Sequence, residues 1–229
     1  MQIDLTNPTQ RTPCILVLDA STSMTTVEVG GNGGQSRMQL LNEGIKTFAA
    51  SLHEDPIALS RVQVAAVNVG GPLGPPRVFM DWTDAASFGP FEMSAAGNTP
   101  LGEAVSVALQ AIEAQKAFLK EQGISYTRPW LMVFTDGEPT DSSATWEATC
   151  EAVRKAEATG KVEVFPIAVG RADLNKLSEL AARPPIAMDA VRFHEFFVWL
   201  SASLGQIARS VPGARVDLPP TDPWASVRL

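Results

Sequence analysis

Strand-like apolar runs alternate with amphipathic stretches along almost the whole chain, and this alternation limits the fold more than any other feature of the sequence. Residues 14–18, CILVL, and 130–134, WLMVF, are apolar throughout, as strands covered on both faces of a parallel sheet must be. Between such runs the period changes. Residues 37–52 space Met38, Leu41, Ile45, Phe48, Ala49 and Leu52 by threes and fours, and residues 101–120 do the same with Val105, Ala108, Leu109 and Ile112. Further helices are predicted at 144–158, 174–182 and 193–209, and further strands at 62–69, 162–169 and 186–188. Residues 77–82 follow the turn-rich GGPLGPP closely. A connection of that length permits an antiparallel pair, so this strand is placed at an edge. The pattern predicts an α/β protein with a central, mainly parallel six-stranded sheet, one antiparallel edge strand and helices on both faces. The predicted domain spans 13–210, between an extension at 1–12 and a Pro-rich tail at 211–229. That tail has no helical period and is expected to be extended, packed back by Trp224.

The net charge is −7, with no block of Lys or Arg, so the chain lacks the electrostatic footprint of a nucleic-acid or anionic-membrane binder. No apolar run approaches the ~18 residues of a membrane span. The opening MQIDLTNPTQ does not resemble a secretory signal. The two cysteines, Cys14 and Cys150, fall in a predicted strand and a predicted helix and read as small core residues. The expectation is a cytoplasmic protein.

In a parallel sheet, ligands bind beyond the carboxyl ends of the strands. After the first strand come Asp19, Ser21 and Ser23. After 130–134 comes TDGEPTD with Asp136. Before the 101–120 helix lies GNTP with Thr99. If the first strand neighbours 130–134, these three loops meet. They would then offer two carboxylates and three hydroxyls, hard oxygen donors suited to Mg²⁺, Mn²⁺ or Ca²⁺. Two carboxylates just balance one divalent ion, so an acidic group from a partner could complete its coordination. Each residue also has an ordinary role: Asp19 in a turn, the serines bonded to nearby backbone, Thr99 as an N-cap before Pro100, and Asp136-Gly137 as a turn pair.

Enzymatic readings meet obstacles. His53 and His194, the two histidines, lie outside the strand-end loops, and neither GxSxG nor GxxxxGK[ST] occurs. A metal-dependent phosphohydrolase using Asp19 and Asp136 remains an alternative. Arg37 and Arg77 are its only nearby candidates for gripping a phosphate. The Gly-rich VGGNGGQS at 29–36 does not match GxGxxG.

LDASTSM, GNTP and FTDGEPTD together resemble the metal-ion-dependent adhesion site of von Willebrand factor A domains, whose Asp-x-Ser-x-Ser, distant Thr and distant Asp fall on Asp19, Ser21, Ser23, Thr99 and Asp136. The resemblance implies the Rossmann-like fold of that family and a non-catalytic binding module. It implies direct contact of the ion with Ser21 and Ser23, direct or water-mediated contact with Thr99, and mostly water-mediated contact with the aspartates. Thr22 stands where the family usually has Gly. FTDGEPTD and the ending FHEFFVWLSASLGQIARS look most like bacterial TerY-type proteins, associated with tellurite resistance and chemical stress. That likeness implies a partner such as a protein kinase or a PP2C-type phosphatase.

Overall fold

A computed structural model describes residues 3–28, 34–210, 216–221 and 226–227. The elements in chain order are β1 (Thr12–Asp19), β2 (Val27–Glu28), β3 (Gln35–Ser36), α1 (Arg37–Glu54), α2 (Pro56–Arg61), β4 (Val62–Val69), β5 (Val78–Asp84), α3 (Leu101–Glu121), β6 (Trp130–Thr135), α4 (Ser143–Ala158), β7 (Glu163–Val169), α5 (Leu174–Ser178), β8 (Ile186–Met188), α6 (Phe193–Arg209) and β9 (Ser226–Val227). The main sheet has the order β5-β4-β1-β6-β7-β8-β9. Strands β4, β1, β6, β7 and β8 run parallel, and β5 pairs antiparallel to β4 at one edge. This is the expected Rossmann-like arrangement.

Alternation along β1 explains why its strand is apolar on both sides. Cys14, Leu16 and Leu18 enter the core shared with α1 and α6, whereas Ile15 and Val17 enter the core shared with α3 and α4. On the first face Phe134 packs against Phe196 and Phe197, with ring centroids 5.0 and 5.7 Å apart, and Phe48 lies 5.5 Å from Phe197. Burying each such ring contributes about 2–3 kcal/mol. α1 approaches α6 so closely that a Cβ at Gly44 would sit 2.6 Å from the Phe197 ring. That position therefore requires glycine.

Three elements depart from the sequence expectation. Asp55 ends α1 and also caps a new helix, α2, by accepting the Ile57 and Ala58 N–H groups. The helix expected over 174–182 stops at Ser178, because Leu180 and Ala181 turn into the core and the Ala182 N–H binds Glu157 Oε2 at 2.8 Å. The tail, read as extended and packed back by Trp224, contributes β9, antiparallel to β8, so the sheet gains a seventh strand. The Pro219 carbonyl accepts the Trp199 Nε1–H at 2.8 Å. Trp224 lies outside the described residues, as does most of the Gly-rich segment 29–36, whose described end forms β3 against β2. Among the described residues no helix is long and apolar enough to cross a membrane.

Candidate metal centre at the carboxyl edge of the sheet

β1 has β4 on one side and β6 on the other, so the strand order reverses here, where a parallel sheet opens its crevice. Asp19 ends β1, and Asp136 follows the last residue of β6. Ser21 is extended, at φ −69° and ψ 169°, before a 3-10 turn at Thr22–Thr25 anchored by buried Met24. Thr22 fits without strain: no described non-glycine residue has positive φ, and its N–H and hydroxyl bind the Gly97 carbonyl at 3.0 and 3.1 Å.

The two carboxylates are held differently. Asp19 is fully buried. One of its oxygens accepts the Ser21 N–H at 2.8 Å, and the other accepts the Thr135 hydroxyl at 2.6 Å. Burial pushes its pKa up to about 6, against the lowering effect of the Thr135 and Ser21 hydrogen bonds, with a small further rise from the charge of Asp136. Asp136 accepts the Ser23 hydroxyl on Oδ1 at 2.5 Å and the Arg37 Nη1–H on Oδ2 at 2.8 Å. Arg37 also donates from Nε to Glu28 at 2.6 Å. Burial opposes the charge on Arg37, but Asp136 and Glu28 hold its pKa above the ordinary guanidinium value.

The hydroxyls form a directed chain. Ser23 gives its one proton to Asp136, so at the 2.9 Å contact between Ser21 and Ser23 it is Ser21 that donates. Ser21 thus donates to Ser23 and Ser23 to Asp136, a relay that ends on the carboxylate. Thr99 joins this set across Gly137, where a Cβ would lie 3.6 Å from Ser23 Oγ and 3.8 Å from Thr99 Oγ1. Thr99 is not the N-cap that its position before Pro100 suggests. The Asp141 carboxylate accepts the Gly102 and Glu103 N–H groups at 2.9 and 3.0 Å, and α3 carries no side-chain cap from its own N-terminus. The Thr99 hydroxyl is therefore not spent on the helix.

Asp19, Ser21, Ser23 and Asp136 are linked by these contacts, and Thr99 stands beside the same Gly137 that Ser23 faces. No cluster of three or more His, Cys, Asp or Glu gathers among the described residues, so the donors here are oxygens of two carboxylates and three hydroxyls. That set fits a hard divalent cation. Thr135, Asp141 and the pairing of Arg37 with Asp136 were not anticipated. Thr135 and Asp141 flank Asp136 in TDGEPTD, where the extra hydroxyl and carboxylate were a usable signal. His53 faces the Ala85 carbonyl and His194 the Thr47 hydroxyl, so neither reaches the site.

A von Willebrand factor type A domain model matches residues 14–204, and the chain belongs to that family, whose domains commonly mediate protein–protein interaction. A comparison with curated protein sequences finds no match. Solved structures with a similar fold include the pilus adhesin SpaC from Lactobacillus rhamnosus GG in its open conformation, at TM-score 0.62 and 15% identity over 87% of this chain and 31% of that one. Proximal thread matrix protein 1 from the mussel byssus gives 0.53 and 14% over 86% and 49%. A variant of the PilB minor pilin from Streptococcus sanguinis gives 0.54 and 10% over 86% and 62%. The chain spans less than two thirds of each of these structures, and at such identities the likeness is one of fold.

Proposed function

We propose that this domain is a non-catalytic binding module that engages a protein partner through a divalent ion, Mg²⁺, Mn²⁺ or Ca²⁺, held by Asp19, Ser21, Ser23, Thr99 and Asp136. The observation that carries the reading is the directed hydroxyl chain. Asp19, Ser21, Ser23 and Asp136 form one hydrogen-bonded series of carboxylates and hydroxyls beyond the strand ends, an oxygen-only donor set of the kind a hard divalent cation takes. Thr99 adds a hydroxyl that Asp141 has relieved of capping. A bound divalent ion would supply a Lewis-acidic contact for an acidic side chain of the partner. Thr135 and the Ser21 amide fix Asp19, and Arg37 fixes Asp136, so the set is preorganised.

The phosphohydrolase alternative needs a base and a free cationic grip on phosphate. Arg37 is at the site, but its Nε and Nη1 are both engaged by carboxylates, and Arg77 is exposed. The ending FHEFFVWLSASLGQIARS and the FTDGEPTD segment support a TerY-type setting in the bacterial cytoplasm, with a protein kinase or PP2C-type phosphatase as the first partner to test. Capture of partners from host lysate in Mg²⁺ and in EDTA, with wild type and Ser21→Ala/Ser23→Ala, tests the reading. A partner lost on both EDTA and double substitution is expected; one retained under both means that binding uses another surface.

A further inference from the structure

Arg37 opens α1, with its backbone N–H fixed by the Thr26 carbonyl at 2.9 Å. Its side chain is 9% exposed and the Asp136 side chain 0%. The guanidinium is clamped on three sides. Nη1 meets Asp136, Nε meets Glu28 at the end of β2, and the backbone of Gly170 closes on Nη2, where a Cβ would lie only 2.7 Å away. Such a group is a fixed charge in the wall of the site.

That charge changes the balance read from the sequence. Asp19 and Asp136 contribute two negative charges and the hydroxyls none, but Arg37 returns one positive charge at contact distance from Asp136. The carboxylates therefore do not neutralise a divalent ion. Glu28 contacts the opposite edge of the guanidinium, away from Asp136, and is 28% exposed, so it offsets part of the difference from a greater distance. We infer that Arg37 couples the two ligands of the site: it weakens binding of the ion alone and makes the ion-loaded site demand a carboxylate, so that ion and acidic partner bind cooperatively. The inference rests on the metal-bridged reading above. A buried positive charge repels the ion and attracts the partner's carboxylate by the same Coulombic term, strengthened by low local dielectric. Linkage makes the effect reciprocal.

The test is Mn²⁺ binding followed by electron paramagnetic resonance, with and without acetate as the carboxylate probe, at constant ionic strength. Wild type should bind Mn²⁺ more tightly in acetate. Arg37→Met should bind Mn²⁺ about tenfold more tightly without acetate, since even a partly screened neighbouring charge is worth a factor of ten, and the enhancement by acetate should shrink toward one. Arg37→Lys should keep the enhancement. Glu28→Gln, at the partly exposed end of the chain of contacts, should enlarge it, and this variant decides the question if Arg37→Met fails to fold. Weaker Mn²⁺ binding by both Arg37 variants with an unchanged enhancement would show a purely structural ion pair and overturn the inference, as would an unchanged enhancement in Glu28→Gln. Mn²⁺ binding by wild type with no acetate enhancement overturns the inference and leaves the metal site standing. No Mn²⁺ binding by wild type removes the proposed function and the inference together.

Discussion

The two ends of the sheet both bury carboxylates, and they treat them in opposite ways. At the amino end, Asp84 accepts the Gln63 side-chain amide at 2.8 Å and the Asp4 N–H at 2.6 Å, Gln63 accepts from Gln115 at 2.9 Å, and Arg11 lies 3.6 Å away. Both oxygens of Asp84 are matched by amide donors from the chain itself, while the buried Arg11 Nε nearby has no hydrogen-bond partner. At the carboxyl end, Asp19 and Asp136 are matched as well, but by hydroxyls that link the two carboxylates to each other. Buried polarity is therefore not in itself a sign of function. What distinguishes the carboxyl edge is that two buried carboxylates and the hydroxyls between them converge where the strand order reverses.

Breaking the amino end should have the largest effect. Asp84→Ala leaves the fully buried Arg11 without its nearest carboxylate, and an uncompensated buried charge costs about 3–5 kcal/mol. Denaturant unfolding should show this loss equally in Mg²⁺ and in EDTA. A loss that Mg²⁺ repairs would mean that the two ends are not independent.

The carboxyl end should instead reveal itself through pH. The folded-state pKa of Asp19 is raised from 3.8 to about 6, chiefly by burial. Between these values the folded protein binds a proton that the unfolded chain does not. The contribution is fully present below pH ~4 and is lost as pH rises through about 6. In EDTA, stability should fall by up to about 3 kcal/mol across that window. Asp19→Asn should flatten the fall, and saturating Mg²⁺ should offset it. Identical pH profiles for wild type and Asp19→Asn in EDTA would contradict the burial argument.

The parallel core was legible because strand burial writes itself as apolar runs and helix burial as a period of three to four. Residues 62–69, 186–188 and 193–209 were read to the residue. β2, β3 and β9 were not, since two-residue strands carry no period and β9 depends on a partner some 40 positions away. At the site, the hydroxyls and carboxylates stood in recognisable strand-end loops. The pairing of Arg37 with Asp136 spans 99 positions, and nothing local to RMQLLNEG marks it. Thr99 stood out in the sequence as a candidate, but its competing capping role could be removed only by seeing Asp141 take it.

That substitution of one cap by another gives the smallest effect and the finest test. Asp141 receives two of the first N–H groups of α3, and Thr140 bonds to Thr99 through both its N–H and its hydroxyl. The loop after β6 is thus stitched to the start of α3, and the stitch sets where Thr99 stands. Asp141→Ala should cost about 1 kcal/mol, the usual worth of an N-cap, and lower the melting temperature by about 2–4 °C for a chain of this size. With Asp141 gone, the Thr99 hydroxyl is the nearest replacement cap. Mn²⁺ affinity should then fall several-fold without any loss of carboxylate at the proposed ion site. Unchanged stability would show that Asp141 is not the functional cap. Reduced stability with unchanged Mn²⁺ affinity would show that the Thr99 hydroxyl contributes nothing to the ion, and would narrow the working donor set to the two serines and the aspartates.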